Sequence, residues 1–134
     1  FYFTNITISI DSKYKTNFLK NNYFFMNEPF EYINTITKAI VERVNPEKVI
    51  LFGSYAYGTP SKESDIDILV ILKDSSVPRY KRSGDLYTML KDYSSYPKDL
   101  VVYTEDEVKK WANVRQAFIT SVIKKGKLLY ERKN

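Results

Sequence analysis

The sequence contains neither cysteine nor histidine, and these two absences exclude much of the chemistry open to a small protein. Without cysteine there are no disulfides and no zinc-thiolate sites. Without histidine, a Ser-His-Asp or Cys-His mechanism is impossible, and so is a histidine-rich metal site. Catalysis therefore has to rest on carboxylates, hydroxyls, lysines or a metal held by oxygen atoms. Oxygen coordination favours hard ions such as Mg²⁺, Mn²⁺ or Ca²⁺. No uninterrupted apolar run approaches the roughly 20 residues that a membrane helix needs. The first residues also lack the ordered basic, apolar and small-residue segments of a secretory signal. No membrane partner and a cytoplasmic location are the resulting expectations.

The 134 residues are 43% hydrophobic, enough for one domain with a core of its own. The net charge of +5 suits anionic partners such as nucleotides, nucleic acid or an acidic protein. A solvated basic surface explains the same charge, and charge alone favours that simpler reading. Direct nucleic-acid binding is not expected to be the primary activity.

Residues 1–25 differ from the rest and are treated as an N-terminal extension, with the domain proper over 26–134. Met26 stands just before a good helix start and is a candidate initiator. Against that, Ile6, Ile8 and Ile10 alternate with Thr7 and Ser9 as a strand would. From Asn27 onward the pattern is regular. Phe30, Ile33, Ile36, Ile40, Val41 and Val44 recur at helical spacing, with Asn27 and Pro29 as start signals and Asn45-Pro46 as the stop. Val49–Phe52 and Ile66–Leu72 read as buried strands. Leu86, Met89, Leu90 and Tyr93 suggest a helix, followed by a strand over Asp99–Tyr103. Thr104 and Glu107 form a capping-box signature, and helical spacing continues through Phe118, Val122 and Ile123 to Gly126 as C-cap. A last strand over Lys127–Tyr130 would join the sheet edge. Helices and strands alternate throughout, which predicts an α/β (α+β) domain with a small mixed β-sheet flanked by helices.

The chemistry is concentrated in Gly53-Ser54-Tyr55-Ala56-Tyr57-Gly58 and Ser64-Asp65-Ile66-Asp67-Ile68-Leu69-Val70. Asp65 and Asp67 are two apart at the head of a strand, so both point to one face. Two carboxylates held together repel unless a cation lies between them or one takes a proton. A divalent metal accounts for the pair economically. Gly53 ends a strand and lets the backbone approach a ligand. If Ser54–Tyr57 begin a short helix, its free N–H groups and dipole favour phosphate, and the Ser54 hydroxyl adds a donor. Ser64 is included with Gly53 and Ser54 as a nucleotide-binding candidate. Asp99 heads another strand, and if that strand neighbours the Asp65 strand, a third carboxylate reaches the same place. Three carboxylates with two Mg²⁺ ions suit in-line attack on an α-phosphate.

The string GSYAYGTPSKESDIDILV resembles the signature of the DNA polymerase β-like nucleotidyltransferase superfamily, a Gly-Ser turn followed by Asp-x-Asp. The resemblance runs over about residues 27–130 and includes Asp99-Leu100-Val101-Val102-Tyr103-Thr104 and Lys125-Gly126-Lys127-Leu128-Leu129-Tyr130. It is to the small stand-alone members called minimal nucleotidyltransferases, or MNT proteins. It implies that Asp65 and Asp67 bind two metal ions, that Asp99 completes the catalytic metal site, and that Gly53 and Ser54 hold the triphosphate. Many relatives carry arginine where this chain has Tyr57, so that phosphate contact is absent. Several minimal members act as antitoxins beside a helical HEPN toxin, an RNase. For this chain the resemblance implies AMP transfer from ATP to a toxin tyrosine, with inhibition by complex formation as an accompaniment.

The remaining features carry less. Tyr55 and Tyr57 suit base stacking, core packing or simple exposure. Lys73, Arg79, Lys81 and Arg82 read first as a solvated face and second as a basic rim. Trp111, with Val108 and Phe118, reads as core or partner interface. Three functional classes follow: a protein AMP-transferase serving as antitoxin, a small-molecule nucleotidyltransferase of the aminoglycoside-modifying kind, and a non-catalytic module that occludes its partner. One domain leaves little room to position an acceptor, so a partner protein is expected to supply it, in a homodimer or hetero-oligomer.

Overall fold

The apolar run Ile66–Leu72 is too continuous for a strand with one wet face, and the structure buries it on both sides. The computed structural model describes residues 23–93 and 96–133, with side chains from Pro29 onward. The strands β1 (Lys48–Phe52), β2 (Ile66–Leu72), β3 (Lys98–Thr104) and β4 (Lys127–Glu131) form one sheet in the order β3-β2-β1-β4. β1 runs antiparallel to both β2 and β4, while β2 and β3 are parallel. The strand proposed around Ile6–Ile10 lies outside the described residues.

One face of the sheet is covered by α1 (Tyr23–Val44), whose Ile33, Ile36, Ile40 and Val41 form an apolar stripe at helical spacing. They pack on Val49, Leu51, Ile66, Ile68, Val70, Leu100 and Val102. Thr37 is buried in that stripe and donates its hydroxyl to the Ile33 carbonyl at 2.7 Å, which satisfies the polar group locally. On the opposite face Ile50, Phe52, Leu69, Ile71 and Tyr103 are covered by Ile119 and Val122. Between β1 and β2 lies the four-residue α2 (Ser54–Tyr57), and α3 (Arg79–Met89) joins β2 to β3. Among the described residues no helix is long and apolar enough to cross a membrane.

Three sequence expectations are corrected. α1 begins at Tyr23, ahead of Asn27, and passes through Pro29; proline in that position removes one N–H donor without ending the helix. α3 starts at Arg79 and stops at Met89, so Leu90 and Tyr93 follow it. Its first turns carry no apolar periodicity, since Leu86 is its fully buried residue. The stretch from Glu105 to Lys125 is two helices, α4 (Glu105–Trp111) and α5 (Phe118–Lys125). The α5 side chains Ile119 and Val122 are the ones that lie on the sheet. Gly126 does close α5, donating to the Val122 carbonyl at 2.7 Å, but in an extended conformation with φ −70°. Its requirement is space: a Cβ there would stand 2.5 Å from Ile50 Cγ2.

The basic face is corrected in part as well. Lys73 and Lys81 are exposed, but the Arg82 side chain is only 8% exposed. Arg82 donates to both Glu107 carboxylate oxygens, at 2.7 and 3.0 Å, and to the Val77 carbonyl at 2.7 Å. Glu107 also accepts from Thr104 N at 2.9 Å within the capping box that opens α4, as the sequence suggested. The Arg82 pair holds the Glu107 carboxyl below the usual range. Arg79 lies 4.8 Å from the centre of the Tyr103 ring. Arg82→Ala is therefore expected to destabilise the fold by about 3 kcal/mol, the cost of breaking a largely buried pair from one side. Chemical denaturation would measure it; a loss comparable to that of Lys81→Ala would contradict the structural role.

Candidate active site

Three strand ends meet at one edge of the sheet. β1 finishes at Phe52, whose register partner on β2 is Asp67, and the partner of Asp67 on β3 is Asp99. Residues paired this way share a face of the sheet, so Asp67 and Asp99 stand side by side. Asp65 is exposed just ahead of β2, where Ile66 N donates to the Pro97 carbonyl at 2.9 Å and ties the starts of β2 and β3 together. The condition set for Asp99, that its strand neighbour the Asp65 strand, is met through the parallel β2–β3 ladder.

Gly53 follows β1 with φ 72° and ψ −160°, a conformation essentially reserved for glycine. Its carbonyl accepts from the N–H groups of Ala56 and Tyr57, both at 3.0 Å, and so opens α2. The short helix anticipated at Ser54–Tyr57 is present, and Gly58 closes it in the left-handed conformation. Ser54 is half-buried at its first position, where backbone N–H groups lack intrahelical partners. Gly53 also lies directly against Asp67, since a Cβ on it would sit 2.0 Å from Asp67 Oδ2. The glycine turn and the carboxylate edge thus form one surface. The Ser64 hydroxyl accepts from Ser61 N at 2.8 Å and contacts Ser61 Oγ at 3.2 Å, in the loop before Asp65.

The electrostatics of this edge are unbalanced. Four ion pairs occur among the described residues, and none includes Asp65, Asp67 or Asp99. Burial, then the charge of Asp99, then that of Asp65, push the Asp67 carboxyl from 3.8 up to about 6. Among the described residues no three acidic side chains stand close enough together, as placed, to hold a metal ion. Like charges without a counterion keep apart, whereas hard oxygen donors with no cationic partner fit a divalent ion. The donor chemistry of these residues is the kind that hard divalent ions such as Mg²⁺ take.

A pH dependence follows. The raised carboxyl means that the folded, metal-free chain holds a proton, between about pH 4 and pH 6, that the unfolded chain has released. Stability from this group is fully present below that window and is lost as the pH rises through it. Protons also compete with the cation for Asp67. Mg²⁺ is expected to raise the melting temperature clearly at about pH 7.5 and little at about pH 5. Equal stabilisation at both values would contradict a role for Asp67 in holding the ion.

Tyr87, on α3, was not singled out from the sequence. Its hydroxyl accepts from Leu100 N at 2.8 Å and lies 3.4 Å from the Lys98 carbonyl and 3.5 Å from Asp99 Oδ1. Burial raises its phenol, the Leu100 N–H works in the opposite sense, and Asp99 raises it further. No local signal marks this residue, because α3 is polar over its first turns. Of the aromatic candidates, Tyr55 packs on the α1-side core and Tyr57 is exposed. Trp111 and Phe118 are exposed rather than core, and Phe118 meets Phe52 edge-on at 5.5 Å.

Residues 34–134 match the protein family described as Polymerase beta, Nucleotidyltransferase. The chain belongs to the polymerase beta nucleotidyltransferase family. It is accordingly a nucleotidyltransferase, and its mixed sheet flanked by helices is the polymerase β-like fold. A candidate protein adenylyltransferase of Methanocaldococcus jannaschii is 31% identical to it over 100 residues, covering 75% of this chain and 92% of the relative. A second from the same organism is 29% identical over 76 residues, covering 57% and 76%. Among solved structures, a candidate nucleotidyltransferase from Sulfolobus solfataricus is 28% identical with a TM-score of 0.47, covering 73% of this chain and 79% of that one. A toxin–antitoxin structure with AMP-PNP is 25% identical with a TM-score of 0.44, covering 74% and 73%.

Proposed function

We propose that this nucleotidyltransferase transfers AMP from ATP to a hydroxyl of a partner protein, namely a tyrosine of a HEPN-type toxin, and so acts as an antitoxin in the cytoplasm. The observation that carries the chemistry is the side-by-side register of Asp67 and Asp99 with Gly53 packed against Asp67. The turn after β1 and the carboxylate edge face the same space, as a triphosphate and its cations would require. Protein as the acceptor class is supported by relatives named as candidate protein adenylyltransferases. The toxin tyrosine rests on the resemblance to minimal nucleotidyltransferases.

In this reading Gly53 lets the backbone approach the β- and γ-phosphates, and Ser54 contributes N–H and hydroxyl donors to them. Asp65 and Asp67 would hold two Mg²⁺ ions, with Asp99 completing the set of carboxylate ligands. When bound, Mg²⁺ neutralises the triphosphate and makes the acceptor hydroxyl more acidic. Asp99, the more exposed member of the Asp67–Asp99 pair, takes the acceptor proton. The hydroxyl oxygen bonds to the α-phosphorus as its bond to pyrophosphate breaks. Ser64 supports Asp65 through the loop it shapes.

The test mixes the protein with Mg²⁺, α-³²P-ATP and the protein encoded beside it. Label on a tyrosine of that neighbour is the expected result. Tight binding and inhibition of the neighbour, with no label from any nucleoside triphosphate, would replace the enzyme reading with an occluding module.

A further inference from the structure

β3 is an edge strand, so alternate backbone groups along one side have no strand to pair with. At Asp99 a side chain fills that side. The Tyr87 hydroxyl takes the Leu100 N–H at 2.8 Å and faces Asp99 Oδ1 at 3.5 Å and the Lys98 carbonyl at 3.4 Å. Three consecutive residues around the aspartate therefore share one hydroxyl.

The backbone on both sides of that contact is anchored in the core. Leu86, next to Tyr87 on α3, is 1% exposed in the α1-side core, and Leu100 on β3 is 3% exposed in the same core. The segment leading into β3 is held separately, since Lys98 Nζ donates to the Tyr93 and Tyr96 carbonyls at 2.8 and 3.3 Å. An exposed aspartate on an edge strand, repelled by Asp67, would otherwise sample several rotamers. A carboxylate that must meet a cation benefits from a partner on one oxygen that leaves the other available.

We infer that Tyr87 is the positioning residue for Asp99, orienting its carboxylate toward the cation and the acceptor hydroxyl from the open side of β3. The inference rests on the reading of Asp99 as the third carboxylate of the site. Tyr87 touches neither nucleotide nor acceptor in this role. Its effect on the reaction passes through Asp99, so it belongs to cation placement and acceptor deprotonation and not to ATP binding. The Leu100 N–H it accepts is a contact within the fold.

The test compares Tyr87→Phe with wild type and with Tyr80→Phe, a control at an exposed tyrosine of the same helix. Mn²⁺ affinity is read by electron paramagnetic resonance in the presence of a non-hydrolysable ATP analogue, so it does not require the acceptor to be known. Tyr87→Phe should weaken Mn²⁺ binding about tenfold, the usual effect of removing a hydrogen-bond partner from a metal ligand. With acceptor present, kcat should fall about tenfold and the KM for ATP should stay within about twofold. In an Asp99→Asn background the same substitution should leave Mn²⁺ affinity unchanged. Unchanged Mn²⁺ affinity in the wild-type background, or an equal loss in the Asp99→Asn background, would overturn the assignment. A wild type that binds Mn²⁺ but labels no protein would count against the proposed function while leaving this comparison decisive.

Discussion

Asp67→Asn is expected to abolish nucleotidyl transfer while raising the melting temperature of the metal-free protein at neutral pH. Both effects have the same origin. Asp67 is the charged residue in a strand otherwise built of Ile, Leu and Val, half-buried and flanked by two further carboxylates. Its carboxyl sits at about 6, so above that pH the fold carries an ionised group that it disfavours. Asparagine keeps the shape and removes the charge, and the metal-free fold gains a few degrees. The gain should disappear near pH 4, where the wild-type carboxyl is protonated in the fold. Transfer should fall by about a thousandfold or more, because a ligand central to the charge-neutralising site is lost. Stability and activity that fall together would show Asp67 to be structural. A wild-type rate in Asp67→Asn would remove it from the mechanism.

Gly53→Ala is expected to damage fold and site together, for two separable reasons. The backbone at φ 72°, ψ −160° costs an alanine on the order of 2 kcal/mol in strain. The added Cβ would also stand 2.0 Å from Asp67 Oδ2 and 3.0 Å from its Cγ, so the carboxylate must move. A displacement of about 1 Å is enough to cost roughly a hundredfold in rate. The two causes separate in an Asp67→Ala background, where the nearest remaining contact is Asp67 Cβ at 3.4 Å, an ordinary van der Waals distance. The stability loss from Gly53→Ala should be smaller there, because the strain persists and the clash does not. Equal losses in both backgrounds would mean that the turn conformation alone requires glycine.

The site was legible where its signal is local. Gly53, Ser54, Asp65 and Asp67 lie within fifteen residues, and strand, turn and strand around them follow from short-range patterning. The same holds for the α1 stripe and for the Thr104–Glu107 capping box. Where apolar periodicity is weak the reading failed: Arg79–Asp85 carries no buried apolar residue, and the start of α3 was missed. Nothing between Trp111 and Phe118 is a strong helix breaker, so the local pattern does not announce the division into α4 and α5.

Short-range pattern specifies the strands, the glycine turn and the paired carboxylates, because each depends on neighbours within one or two turns of chain. The groups that stand around them are set by how the elements pack. Asp99 reaches Asp67 through a parallel ladder 32 residues away in sequence, Tyr87 reaches Asp99 from a helix on the open edge, and Arg82 leaves the solvated face to pair with Glu107. A residue's type sets what it can do locally. Its partners across the sheet are set by register and packing, and these depend on contacts between segments that no local pattern encodes.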